Sequence, residues 1–374
     1  MTRHVLVLSV SAGAGHVRAA EAVCAAARDA RPAVRATHLD LLTLVSRDFR
    51  KLYAEQHIKL VEKLPQLWSF LYAKSDRPSR DSLLGRLKRA IERLNTRKLD
   101  AEIARLKPDA ILCTHFLPAE LLSRQRAKGK ELPPLWVQVT DFDVHALWVQ
   151  QHVDHYCVAS DEIAYRLMDR GIAAGRISVT GIPVMPQFAG PLDRAECAAE
   201  LGVSPEIFTV LMMAGGAGVG ALDELAARLL ALPERMQLIA LAGRNAELLK
   251  SLQALAREHP GRLFPLGFTT TVERVMTAAD LVVTKPGGLS VSECLAKGRP
   301  MLLVAPIPGQ EERNADYLLE AGAAVKSIDA TTLEFKLARL LADPARLAAM
   351  GEAARRIARP DAAQEVLALI FPPA

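Results

Sequence analysis

Apolar runs with strand character alternate with amphipathic runs of helical spacing along most of the chain. "HVLVLSV" (4–10) reads as a buried strand, and the alanine-rich segment after it predicts a helix over 17–29. "DAILCTH" (109–115) precedes the helical "LPAELLSRQRAKG", and "LWVQVTD" (135–141) follows as the next strand. "DHYCVAS" (154–160) leads into "DEIAYRLMDRG", where Gly171 reads as a helix stop. "ISVTGIPV" (177–184) closes the series. Parallel strands with helical crossovers produce this alternation.

The pattern is then interrupted and restarts. "GIPVMPQFAGPL" (181–192) holds three prolines and two glycines and reads as an interdomain linker. Beyond it come "FTVLMMAGG", "MQLIALAG", "GRLFPLGF", "ADLVVTKPGG" and "RPMLLVAP", with helical segments between them. The expected division is a Rossmann-like domain over 1–185, a second over 186–350, and a helical segment over 351–374 that packs back on the first. Two doubly wound α/β domains facing each other across a cleft place ligands outside the carboxyl ends of their strands.

Composition narrows the class. Half of the 374 residues are hydrophobic and about a quarter are charged, as in a globular α/β protein. No apolar run reaches the length of about 18 residues that a membrane-spanning helix needs. The chain passes from Met1 straight into a strand, so no secretory leader is expected. Cys24, Cys113, Cys157, Cys197 and Cys294 are scattered and form no C-x-x-C pair, which fits reduced thiols in the cytoplasm.

Charge is uneven. Between Arg47 and Lys107 sixteen Lys or Arg face eight Asp or Glu, a local balance of +8 in a chain whose total is +5. This basic stretch, 47–107, also contains Trp68, Phe70 and Tyr72, which suits an anionic membrane surface as well as it suits an ordinary solvated helical face with core aromatics. No nucleic-acid recognition module is present in the sequence, and nucleic acid is not an expected partner.

Three stretches carry candidate chemistry. In "VVTKPGGLSVSECLAKGRP" a strand ends at Lys285, and Gly287 and Gly288 turn the chain into a helix whose N-terminus suits an anion such as phosphate. Glu293 in that helix is placed for a ribose. Its spacing from Ser290 is equally that of a capping box with Ser290 as N-cap, which spacing alone favours. Upstream, Gly215, Gly216 and Gly218 form a strand-to-helix loop that admits a diphosphate or simply allows close helix packing. Arg244, after the next strand, either neutralises phosphate or joins a surface ion pair.

The block "TKPGGLSVSE" followed by "PIPGQEERNA", with a glycine loop upstream, resembles GT-B glycosyltransferases of the family 28 type. The nearest by motif are the monogalactosyldiacylglycerol synthases and processive diacylglycerol glucosyltransferases, and more distantly the peptidoglycan-lipid N-acetylglucosaminyltransferase. The resemblance implies that Glu293 binds the ribose of UDP and that Gln310, Glu311 and Asn314 bind sugar hydroxyls. It also implies that the loop of Gly215, Gly216 and Gly218 faces the diphosphate, and that backbone near Phe268 contacts uracil. Lys285, Gly287, Gly288, Ser290 and Arg244 complete the expected donor site.

The first domain is then expected to hold the acceptor. "GAGHVRAAEA" resembles the family's glycine-rich loop ending in Gly-His, with Gly13, Gly15 and His16 in place and Ala14 where many members have glycine. An inverting transfer needs a base for the acceptor hydroxyl, a role that histidine suits near neutral pH. "VTDFDVHALW" resembles a second family segment, from which Asp141 assists or supplants His16 as base while His145 and Trp148 line the acceptor entrance. Asp141 and Asp143 also form a D-x-D pair, but this architecture implies no metal and no cofactor beyond the UDP-sugar co-substrate.

The expected function is therefore inverting transfer of galactose or glucose from a UDP-hexose to a membrane lipid, diacylglycerol above all. The place expected for it is the inner face of the cytoplasmic membrane, by peripheral association. A UDP-sugar 2-epimerase of the same architecture and a non-catalytic lipid or nucleotide sensor are the competing expectations.

Overall fold

The structure is a computed structural model and describes residues 2–11, 13–30, 33–45, 96–213 and 222–372. Most of the basic stretch, including Trp68, Phe70 and Tyr72, lies outside the described residues, as do Gly215, Gly216 and Gly218. The chain forms two compact units. The first contains 1–186, 307–310 and 361–374; the second contains 187–306 and 311–360. The second unit thus ends at Pro360 rather than at 350, because helix Pro344–Ile357 packs on helix Gly288–Ala296 and stays with it.

In the first unit the strands are β1 (Arg3–Ser9), β2 (Val34–Asp40), β3 (Ala110–Cys113), β4 (Leu135–Gln138), β5 (His155–Val158) and β6 (Ile177–Val179). They form one parallel sheet in the order β2-β1-β3-β4-β5-β6. The strand order reverses between β1 and β3, so the crevice above their carboxyl ends is the natural ligand position. Near-continuous apolar strands such as Val5–Leu8 and Ala110–Cys113 reflect burial on both faces of a parallel sheet.

One face of this sheet is covered by helix Ala14–Asp29 together with the C-terminal helix Ala362–Ile370. Ala363, Val366, Leu367 and Ile370 join Val5, Val7, Ala20, Val23 and Leu112 in a single core. The helix on Asp161–Asp169 stops as its sequence requires. Arg170 caps it, Gly171 takes a φ of 85°, and Ile172 N–H returns to Leu167 O at 3.0 Å.

In the second unit the strands are β7 (Phe208–Met213), β8 (Met236–Gly243), β9 (Leu263–Gly267), β10 (Leu281–Thr284), β11 (Met301–Leu303) and β12 (Ala324–Lys326). Their order, β12-β11-β10-β7-β8-β9, is parallel throughout and reverses between β7 and β10. Lys285–Gly288 follows β10, and the residues after β7, 214–221, lie outside the described residues. Among the described residues, no helix is long and apolar enough to cross a membrane.

None of the five cysteines is in a disulfide, and four of the five are buried. Burial pushes the Cys157 thiol up to about 12, although the Thr180 hydroxyl draws it the other way.

Candidate active site

At the reversal point of the first sheet, β1 and β3 deliver two short polar segments to the same place. Gly13 is the N-cap of helix Ala14–Asp29, with extended backbone, so Ala14 is an ordinary first helical residue and its methyl needs no special conformation. That placement puts His16 in the first turn. After β3, Thr114 N–H bonds Leu8 O at 2.9 Å and its hydroxyl donates to His16 O at 2.8 Å. The start of the helix is thereby tied to the neighbouring strand.

The same segment fixes the imidazole. His16 Nδ1 lies 3.0 Å from Thr114 O and 2.8 Å from Thr140 Oγ1. A backbone carbonyl only accepts, so Nδ1 carries the proton, with the Thr140 oxygen as second acceptor, and the lone pair is left on Nε2. Nε2 is thus the atom able to take a proton.

Aromatic rings surround this histidine. His115 stands edge-on to it, with ring centroids 4.5 Å apart, and Trp148 lies at 6.2 Å. His115 Nδ1 accepts Leu117 N–H at 3.0 Å as the N-cap of helix Phe116–Ala127, so its proton sits on Nε2, the opposite tautomer to His16. His145 likewise accepts Leu147 N–H, at 3.2 Å, and caps the short turn Ala146–Trp148. Both His145 and Trp148 are buried, and Trp148 forms a packed wall beside His16.

That wall is held from behind. The Tyr156 hydroxyl donates to the carbonyl oxygens of Trp148 and Gln150 and accepts Gln150 N–H at 2.7 Å. Burial pushes this phenol up to about 12, which keeps it a neutral donor. Gln150 Nε2 also donates to Glu120 Oε2 at 2.9 Å.

Asp141 and Asp143 face different partners. Asp141 Oδ2 accepts from Gln310 Nε2, and Asp143 lies 3.5 Å from Arg166 Nη1. Among the described residues no group of three or more His, Cys, Asp or Glu is arranged to hold a metal ion. Thr114, Thr140 and His115 are the residues that sequence reasoning missed. Their signal was modest: polar residues at the carboxyl ends of strands that are otherwise apolar.

In the second unit, Gly287 N–H bonds Lys285 O at 2.9 Å and Gly287 caps helix Gly288–Ala296. The N-cap of that helix is Gly287 and Ser290 lies inside its first turn, which corrects the capping-box expectation. The positive end of the helix dipole lies at this glycine turn. Glu293, one turn further on, is 8% exposed.

The segment after β11 supports this turn. Asn314 is fully buried and donates to Pro286 O at 3.0 Å, so it holds the turn. The Glu311 carboxylate comes up to Gly287, where an added Cβ would stand 3.7 Å from Oε1. Gln310 groups with the first unit and meets Asp141 there. Arg244 follows β8, and its guanidinium lies 4.3 Å from the ring centroid of Phe268, which is 57% exposed. The contact between the two is a cation–π pair.

Two parallel doubly wound units, each with its reversal point opening on a helix start, have the architecture of the GT-B fold. Residues 16–184 match the family model for monogalactosyldiacylglycerol (MGDG) synthase, and residues 209–366 match that for the glycosyltransferase family 28 C-terminal domain. A processive diacylglycerol β-glucosyltransferase of Bacillus pumilus is 31% identical over 276 residues, covering 74% of this chain and 71% of the relative. One from Bacillus cereus is 31% identical over 266 residues, covering 71% and 68%. The chain belongs to this family of glycosyltransferases.

Solved structures agree on the fold. MurG of Acinetobacter baumannii aligns with a TM-score of 0.61 at 18% identity, over 98% of this chain and 99% of that one. UDP-GlcNAc 2-epimerase of Neisseria meningitidis also gives 0.61, at 12% identity over the full length of both. Equal scores for a transferase fold and an epimerase mean that fold does not separate the two activities. Sequence does, through the glucosyltransferase relatives.

Proposed function

We propose that this protein transfers a hexose, glucose or galactose, from a UDP-sugar to the free hydroxyl of diacylglycerol with inversion at the anomeric carbon. The observation that carries the reading is the tautomer of His16, set by Thr114 and Thr140 in a chain 31% identical to diacylglycerol glucosyltransferases. His16 Nε2 takes the proton of the acceptor hydroxyl as its oxygen bonds to C1. The bond from C1 to the diphosphate oxygen breaks, and UDP leaves.

Charge that develops on the departing diphosphate faces the N-terminus of helix Gly288–Ala296, whose backbone donors are already oriented. Glu293 binds the ribose, and Glu311 the sugar hydroxyls. Asn314 acts at one remove by holding Pro286. This scheme draws on no metal. The protein works as a peripheral enzyme at the inner face of the cytoplasmic membrane.

The test is purified protein with labelled UDP-glucose, UDP-galactose or UDP-GlcNAc and diacylglycerol vesicles, followed by analysis of lipid products. Glycosyl-diacylglycerol from UDP-glucose or UDP-galactose is the expected result. Absence of product from every donor overturns the proposal, and turnover of UDP-GlcNAc without acceptor establishes the epimerase instead.

A further inference from the structure

At the amino end of the first sheet, opposite the end from which helix Ala14–Asp29 departs with His16, lies a cavity of about 500 Å³. Thr2, Arg3 and His4 reach it from the start of β1, Arg35 from the start of β2, and Leu106, Lys107 and Asp109 from the chain that leads into β3. Of these seven residues only Leu106 is apolar, and none of the large exposed apolar side chains is among them.

The charges in this lining do not cancel. Arg3, Arg35 and Lys107 share it with one carboxylate, Asp109, whose Oδ2 accepts His4 N–H at 2.6 Å. Among the described residues, none of the three cations is in an ion pair. Arg3 is held by Pro372 O, to which Nη1 donates at 2.8 Å, and its guanidinium lies 5.7 Å from the centroid of the Phe371 ring. His4 Nδ1 lies 3.2 Å from Leu106 O and so carries the proton, while Nε2 accepts from Thr37 Oγ1 at 2.9 Å. Burial and then Arg35 keep this imidazole below the ordinary histidine value, against the Leu106 carbonyl and Asp109. Lys107 caps helix Arg97–Leu106 with a φ of 45°, the left-handed region in which glycine is the unstrained residue. A lysine there sets a cation in the lining at a cost in backbone strain.

We propose that this cavity binds a soluble sugar phosphate, with the phosphate on Arg3, Arg35 and Lys107 and sugar hydroxyls toward Asp109 and Thr2. A phosphate monoester carries about two negative charges at pH 7, which matches three cations less one carboxylate. Inorganic phosphate alone fills a small part of the volume, and a polar lining gives an acyl chain no apolar surface to cover. The second carboxylate oxygen of Asp109 accepts no hydrogen bond among the described residues, so it suits a hydroxyl donor. The site is separate from His16 and from the glycine turn of the second unit, and it does not depend on which acceptor the enzyme glycosylates.

The experiment titrates the full chain with glucose 6-phosphate in saturating UDP, which fills the proposed donor site, and follows heat and the ring resonances of His4. Glucose 6-phosphate should bind, glucose should not, and inorganic phosphate should bind about tenfold more weakly. In the complex His4 should titrate at higher pH than in the unliganded protein, because a neighbouring anion favours the imidazolium. Lys107→Gly should lower the affinity by about tenfold while the melting temperature stays the same or rises, since the left-handed φ no longer costs strain. Arg35→Gln, at an exposed position, should lower the affinity to the same degree. Absence of binding overturns the proposal, and so does wild-type affinity in both variants. Binding that leaves the His4 resonances unmoved places the ligand elsewhere and also overturns it. Inorganic phosphate that binds as tightly as the sugar phosphate means an adventitious ion only, and displacement of glucose 6-phosphate by phosphatidic acid vesicles at equal phosphate means a lipid contact; either result overturns it. Failure of glycolipid synthesis with this binding intact overturns the acceptor reading alone.

Discussion

His16 Nδ1 lies 3.0 Å from Thr114 O, while the Thr114 hydroxyl donates back to His16 O at 2.8 Å. One residue of β3's end thus fixes both the tautomer of the ring and the first turn of the helix that bears it. Thr140 adds a side-chain oxygen to the same nitrogen.

Removal of the ring by His16→Ala should lower kcat by about 10²- to 10⁴-fold, the usual contribution of a positioned base, with UDP affinity unchanged. Thr140→Val should have a smaller effect on kcat together with a shifted pH profile of kcat/KM, since only one of two Nδ1 acceptors is lost. Steady-state kinetics across pH on both variants checks this. Wild-type kcat in His16→Ala would remove the base from the scheme.

With Gly287 as the helix cap, Glu293→Gln has no capping box to break. The substitution should weaken UDP-sugar binding by about tenfold or more, the worth of a hydrogen bond to a charged acceptor. Calorimetric titration with UDP, beside a thermal melt, separates the outcomes. A lower melting temperature with intact UDP binding would mean a structural carboxylate.

Asn314→Ala leaves the Pro286 carbonyl without its side-chain donor in a buried place. A loss of about 1–3 kcal/mol in the stability of the second unit is expected. In the proposed scheme the Pro286 turn presents the anion position, so UDP affinity should fall with it. Chemical denaturation followed by UDP titration measures both effects.

Stability of the first unit should depend on mild acid. His4, His38 and His155 titrate below the ordinary histidine value, chiefly through burial. Arg35 beside His4 and Arg176 beside His155 act in the same direction, while Glu21 and Asp40 oppose it at His38. The folded state therefore binds fewer protons than the unfolded chain. Its stability is complete above about pH 6.5 and falls as pH drops from there toward the lowered folded values. Urea midpoints at about pH 7.5 and 5.5 should differ in that sense, and His38→Gln should reduce the difference.

Leu367→Ala in the C-terminal helix should cost about 2–5 kcal/mol, as for a buried leucine in a core it shares with β1 and β3. The loss belongs to the first unit, although the residue lies at the far end of the chain. Limited proteolysis of the variant should open helix Ala14–Asp29 before any helix of the second unit.

Local patterning was sufficient for much of this protein. Apolar strands buried on both faces, helices between them and a proline-rich break at 181–192 specify two parallel α/β units, since each signal acts over a few residues. The glycine turn at Gly287 and Gly288 and the Gly-His segment at His16, which opens helix Ala14–Asp29, were legible for the same reason. Which groups serve those loops was decided by contacts between distant segments. Thr114 and Thr140 reach His16 from 98 and 124 residues away, and Asn314 reaches Pro286 from 28. The Ser290–Glu293 spacing fits a cap as well as a ligand, and only the backbone path through Gly287 separates them. Hydrophobic period fixes where a strand or helix lies, but hydrogen bonds between residues far apart in the chain exist only once strand order has brought their ends together.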